Sequence, residues 1–578
     1  MYSYGGTLPR MKRLSAMLLV AATISACTAQ PQPGLPARPE GASAAPNQHR
    51  VLTIAIRYEI QRLIPKSYQS GIQENKALFT ATLTRNQADG AIGPQLAEVP
   101  RLDTDTWRVF PDGRMETTYR LRPNLIWHDG QPLVADDFVF AWQVYTSSAL
   151  DIFIRNPQQL MDSVTAPDPR TLVIHWSAPY PDANSLELED LDPLPRHLLG
   201  EPFANIAQTG PDGFLALPYW VAEYVGAGPY RLVRWEPGAS FEGVAFDGYV
   251  FGRPKIDRVI LKVIPDDTSA LTNVLAGTVD FTSLRFEQGQ ALMQEWVPSG
   301  KGSFTLDLGG AQSEWVQLRP EYVGHPGLLD VRVRRAIAHS LDRQAINEGV
   351  FEGRGTMAET MVPPFEPFYA DVDRAVRHYP FDPRRAEELM NEAGYFKRDG
   401  LFANAAGERF SFDHITQSTG PEFERVELIM TDGWRRAGME VRPSVLPSGQ
   451  VGPGQQRHTF PGISGRGGGR LERNWITAEI GTPENRWTGE NRSGWSNPEY
   501  DRLYEQFVAT LDRATRTQQF VRMQQLLAEE LPVYFTYFSV TSTIHVAGLK
   551  GPTASTTGTG TFTRGLGRCW NIDEWSWQ

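Results

Sequence analysis

Cysteine is nearly missing from this chain: Cys27 and Cys569 are the only two in 578 residues. A disulfide-dense scaffold is therefore excluded. Long apolar runs are equally scarce. Beyond residue 30 no stretch approaches the roughly 20 consecutive apolar residues of a membrane span. Basic stripes are absent too: 56 Lys and Arg stand against 67 Asp and Glu, a net charge of −11 spread along the chain. Nothing there tracks a phosphate backbone, so nucleic acid is not an expected partner.

Catalytic constellations are also missing. Gly462-Ile463-Ser464-Gly465-Arg466 places Arg466 where a nucleophile elbow needs its last glycine. The ten histidines include no pair at helical spacing around a glutamate, so a zinc-protease site is not supported. The glycine-rich stretch near residue 465 lacks the Lys-Ser/Thr of a phosphate cradle. No catalytic residue, metal site or cofactor is expected, and a secreted hydrolase is the outsider among function classes.

What is present begins at the amino terminus. Lys12 and Arg13 precede a short apolar run over 14–24, followed by Ser25-Ala26-Cys27. This reads as a secretion signal, too short to span a bilayer comfortably. Ile24-Ser25-Ala26-Cys27 resembles a bacterial lipobox, which implies cleavage before Cys27 and acylation of its thiol, so that two or three acyl chains hold the protein on a membrane at the periplasmic or extracellular face. Cys569 then has no partner and no disulfide is expected. Met11 is the more economical start, since residues 1–10 add nothing a signal needs. Residues 28–50, rich in Pro, Ala, Gly and Gln, read as a flexible tether.

The folded body starts near Val51. Hydrophobic residues at 41% supply ample core, and the length calls for two or three domains. Residues 51–56, 171–176 and 259–264 read as buried strands. Helices interleave with them: one capped by Asp382 with Pro383 next, one from near Asp330, one capped by Asn497 before Pro498, and one through Phe520, Met523, Leu527 and Leu531. The alternation predicts an α/β protein. Residues 448–469, with little apolar content, read as one long loop. No internal repeat has a fixed period.

Several motifs, in order, resemble those of the family 5 extracellular solute-binding proteins, the oligopeptide, dipeptide and nickel receptors of ABC importers. The longest spans 121–138 and contains Trp127-His128-Asp129-Gly130 and Ala135-Asp136-Asp137. Gly93-Pro94-Gln95-Leu96-Ala97-Glu98, Pro195-Arg196-His197-Leu198-Leu199, Gly226-Ala227-Gly228-Pro229-Tyr230, Ala276-Gly277-Thr278-Val279-Asp280 and Val331-Arg332-Val333-Arg334-Arg335-Ala336-Ile337 extend it across roughly 51–550. The resemblance implies a bilobal type II periplasmic-binding-protein fold with an extra subdomain in lobe I. The expected division is lobe I over 51–92, the subdomain over 93–225, lobe I again over 226–303, lobe II over 304–515, and the return to lobe I over 516–578. It also implies that a monomer closes about its hinge on a peptide or peptide-like solute and presents it to the permease and ATPase of an ABC importer. A receptor of the same fold used for sensing or for binding a partner is the alternative.

In the family's peptide binders a cleft aspartate holds the ligand ammonium. Glu59 matches an acidic position near the cleft, but the usual Leu-Asp-Pro is here Leu63-Ile64-Pro65, and no aspartate occurs over 448–495. Phe246 likewise stands where the family often has Asn. Glu472, Glu479 or Glu484 would have to replace the missing carboxylate; otherwise an arginine recognises a ligand carboxylate. The expected ligand-contacting set is Glu59, Arg470, Trp475, Trp487 and Asn491, with aromatic faces over the ligand.

Overall fold

The computed structural model describes residues 51–64, 72–87, 91–150, 157–188, 190–418, 420–447, 454–467, 472–554 and 567–578. The lipobox with Cys27, the tether, Pro65 and Arg470 lie outside the described residues. Among the described residues no helix is long and apolar enough to cross a membrane.

Ten strands form the central sheet: β1 (Val51–Ile56), β2 (Tyr230–Glu236), β3 (Ser240–Ala245), β4 (Arg258–Val263), β5 (Phe281–Arg285), β6 (Gly302–Val316), β7 (Ser411–Ser418), β8 (Glu440–Pro447), β9 (Ile463–Gly467) and β10 (Val533–Val546). Their order is β8-β7-β9-β6-β10-β5-β1-β4-β3-β2. The β1–β4, β1–β5, β7–β8 and β7–β9 pairs are parallel, and the remaining pairs are antiparallel. Parallel pairs require helical crossovers, and these cover both faces.

The cores divide the sheet into two halves. At the β1 end, Leu52, Ile54, Phe241 and Leu261 bury one face against Trp127, Trp176 and Trp220, while Ala55, Val274, Leu284 and Ile544 bury the other. At the β8 end, Val316, Phe412, Trp434 and Ile463 pack on one face and Trp315, Trp475, Phe520 and Phe535 on the other. Separate cores on one sheet make two lobes.

Between Arg120 and Trp220 lies the extra subdomain's helical layer. Helix α1 (Ala135–Thr146) packs on a four-stranded sheet of Trp107–Val109, Met115–Arg120, Thr171–Trp176 and Met161–Asp168. The long sequence signature finds its physical reason here. Asp137 is buried, accepts from the Trp127 indole at 3.2 Å and the Val134 amide at 3.0 Å, and so fixes the start of α1. His128 accepts from the Gly226 amide at 3.2 Å, which leaves its other nitrogen to donate to Gly228 O at 3.0 Å. These residues hold the fold together.

The second lobe's helices start where their caps dictate. Asp330 caps α2 (Val331–His339), Asp382 caps α3 (Pro383–Glu392), Asn497 caps α5 (Pro498–Ala509) and Asp512 caps α6 (Arg513–Glu530), each side chain accepting a first-turn amide. Helix α4 (Pro421–Ala437) starts with Pro421 and stops at left-handed Gly438.

Two expectations are corrected. The stretch over 448–469 is not one loop: β9 lies within it, inserted between β7 and β6, because backbone pairing on both sides compensates for its glycines. The second lobe also runs beyond residue 515. Phe520, Met523 and Leu527 of α6 pack in its core, so the chain returns to the first lobe only along β10.

Candidate ligand-binding site

Strands β6 and β10 run the length of both lobes, and their pairing is interrupted midway. Leu308 faces Val540, Ala311 faces Phe538, and Ser313 faces Phe535. The first step carries an extra residue on β6 and the second an extra residue on β10, so two opposed bulges sit at the crossing. Bulges bend and twist a strand locally. Gly309 and Gly310 lie in this break, and the Ser539 hydroxyl donates to Gly310 O at 3.2 Å. A Cβ on Gly309 would lie 2.1 Å from Ser539 Oγ, so the close approach needs glycine.

Ion pairs bridge the seam beside this break. Arg285 at the end of β5 lies 3.6 Å from Glu422 of α4, and Arg425 of α4 reaches Glu287 of the first lobe at 3.0 Å. On the other side Arg516 of α6 meets Asp182 of the extra subdomain at 3.1 Å.

Above the crossing, Trp315 and Trp475 stack with centroids 4.2 Å apart and planes at 20°. Both are buried, and neither indole Nε1 has a hydrogen-bond partner among the described residues. The Arg492 guanidinium sits 5.8 Å from the Trp315 ring. Trp487 adopts a left-handed backbone, φ 60°, rare for a bulky side chain. Its ring neighbours Tyr322 and His458 at 6.4 and 6.2 Å. Burial, then Arg492, Arg319 and Arg457, push His458 down to about 4, so it is neutral at neutral pH.

The remaining sequence-predicted residues are spread apart. Asn491 is fully buried and spends its amide on Ile476 O and Trp495 O at 3.1 and 2.8 Å, while its oxygen accepts from Ser493. That is the bonding of a loop brace. Glu59 accepts from the Gly238 amide at 2.6 Å and closes the β2–β3 turn. Of the glutamates proposed to replace the aspartate, Glu479 accepts from the Glu490 amide at 3.1 Å, and Glu472 is buried. Trp475 stacks on Trp315, and Trp487 lies against Tyr322 and His458.

Sequence reasoning missed a recess of mixed lining on the opposite face of β6. Gln312, Glu314, Thr416, Phe423, Val426, Met430, Gly465 and Tyr537 line it, with about 260 Å³ including its open mouth. Behind it His414 is held between two carboxylates, Nε2 at 2.9 Å from Glu314 and Nδ1 at 3.0 Å from Glu427. Burial alone would discharge this imidazole, but Glu314 and Glu427 outweigh it and hold His414 up at about 9. Glu427, despite burial, is drawn down by His414 and by the Thr431 hydroxyl, which donates to it at 2.6 Å. Among the described residues no cluster of His, Cys, Asp or Glu could hold a metal ion.

The model of the bacterial extracellular solute-binding proteins, family 5 (middle), matches residues 97–474. The oligopeptide-binding protein AppA of Bacillus subtilis is 24% identical over 447 residues, covering 74% of this chain and 76% of that one. The heme-binding protein A of Haemophilus influenzae is 24% identical over 462 residues, 76% and 78% of the two chains. The crystal structure of the oligopeptide binding protein from Thermus thermophilus, complexed with a pentapeptide, superposes with TM-score 0.72 at 25% identity, over 92% of this chain and 96% of that one.

Proposed function

Because the chain belongs to the bacterial extracellular solute-binding proteins of family 5, we propose that it captures a peptide or peptide-like solute between its two lobes and hands it, chemically unchanged, to an ABC importer. Relatives named for oligopeptides and heme support solute capture, and the pentapeptide in the Thermus structure favours a peptide guest. The family consists of binding proteins. No catalytic residue, resident metal or cofactor enters this reading. The protein acts as a monomer outside the cell, tethered through acylated Cys27.

One observation carries the reading: separate cores joined through opposed bulges, with two stacked tryptophans just above the crossing whose buried N–H donors lack partners among the described residues. A buried, unbonded donor costs on the order of 1–3 kcal/mol. Carbonyl oxygens of an extended peptide are acceptors that remove this cost, and backbone recognition of that kind tolerates many side chains. Trp315, Trp475 and Trp487 are the residues assigned to the ligand here. Arg470 and Glu59 stay as proposed ligand contacts.

The test is mass spectrometry of small molecules released from protein purified without denaturation, with palmitate labelling of wild type and Cys27→Ser alongside. Peptides of a few residues are expected, together with label that disappears in the variant. A homogeneous non-peptide solute would retire the peptide guest, and label that persists in Cys27→Ser would remove the anchor.

A further inference from the structure

We propose that Met293 is an oxidation site, and that Arg354 holds its sulfoxide oxygen across the seam between the lobes. Neither residue belongs to the set assigned to the solute.

Met293 sits in the π-helical turn Leu292–Trp296, which follows the helix Phe286–Ala291. Turns of this kind recur at functional positions. Leu292 and Trp296 are buried in the first lobe's core and fix the turn, whereas Met293 stays partly exposed. Phe286, at the head of the same helix, packs edge-on against Phe351 of the second lobe with centroids 5.7 Å apart. Arg354 follows Phe351 by three residues. Left-handed Glu352 and Gly353 set its backbone on one side, and on the other the Gly355 amide donates to Asn347 Oδ1 at 2.8 Å. From there Arg354 Nη1 donates to Met293 Sδ at 2.9 Å.

The two partners are chemically mismatched. A thioether sulfur is a weak acceptor, and Arg354 makes no ion pair among the described residues, so a full charge meets a partner that answers it poorly. The other seam guanidiniums, Arg285 and Arg425, both meet carboxylates. An oxidant of the peroxide class removes the mismatch. With hydrogen peroxide the sulfur lone pair attacks one oxygen, and the S–O bond forms as the O–O bond breaks. The departing hydroxide takes the hydroxyl proton and leaves as water; sulfur loses two electrons and the peroxide gains two. Sulfoxide is polar and its oxygen accepts strongly, so the Arg354 bond becomes a charge-assisted one. Access singles this sulfur out. The other described methionines are buried, except Met357, which packs against the second lobe's core.

The test uses the full protein in a Cys27→Ser background. Peptide mapping by mass spectrometry after graded hydrogen peroxide should find Met293 oxidised several-fold faster than Met357 or any core methionine. Nitroxides attached through thioether bonds at exposed Leu275→Cys in the first lobe and Leu428→Cys on α4 then read the interlobe distance without solute. Oxidation should enrich the separation of this structure several-fold. Met293→Gln, whose amide oxygen replaces the sulfoxide oxygen, should do the same without peroxide, and Met293→Leu should not respond to it. Arg354→Leu should abolish the gain while Met293 still oxidises; circular dichroism checks each fold. Oxidation of Met293 no faster than that of the core methionines overturns the proposal. So does an interlobe distribution that neither oxidation nor Met293→Gln changes, or a gain that persists in Arg354→Leu. Each of these results leaves solute capture standing.

Discussion

Three buried histidines respond to protons in opposite senses, and each sense follows from its neighbours. His414, between Glu314 and Glu427, is raised to about 9 from 6.5. Its contribution is fully present below pH 6.5 and is lost as pH rises through 9, a total on the order of 3 kcal/mol. His128, buried against Gly228 O, and His458, buried among arginines, are lowered to about 4. Their contribution is present above pH 6.5 and is lost as pH falls through 4. Urea unfolding across pH should therefore show greatest stability near pH 6.5. His414→Gln should flatten the alkaline limb, and an unchanged alkaline limb would contradict the assigned charge. The sequence hid this trio because its members lie 13 and 100 residues from His414, on α4 and β6. The stacking of Trp475 on Trp315 was not legible, since that contact exists only once β6 and the 472–475 turn meet. Asn491 misled for the same reason: an amide in a polar stretch looks available until its loop partners are seen.

Elements with local signals were legible as they formed. Asp382-Pro383 and Asn497-Pro498 announce helices because cap and first-turn proline act within four residues. Strand β9 gave no such signal: glycine-rich and short, it is held by backbone pairing on both sides, with Ile463 as its core anchor. The bulges at the β6–β10 crossing were equally silent, being a property of two strands separated by more than 200 residues. Gly309 tests them. Valine there would push on Ser539, and overpacking at such sites costs about 1–3 kcal/mol. Adding Ser539→Ala should recover most of that loss in urea melts. Additive losses in the double variant would show that the two residues do not meet at the break.

Across the whole molecule, family motifs spread over both lobes made the bilobal architecture readable, whereas the boundary of the second lobe needed the core packing of α6. Three ion pairs cross between the lobes. The exposed Arg425–Glu287 pair contributes about 0–1 kcal/mol, while Arg285–Glu422 and Arg516–Asp182 are more enclosed, so three pairs bridge the seam without a broad apolar interface. The guest must then supply the difference through contacts made better in the closed state. Spin labels at Leu275→Cys in the first lobe and Leu428→Cys on α4, both exposed, read this directly in a Cys27→Ser background where Cys569 is buried. Double electron–electron resonance with a random tetrapeptide library should convert a broad interlobe distance distribution into one shorter, narrow peak. A distribution unchanged by peptide that calorimetry shows to be bound would contradict capture by closure.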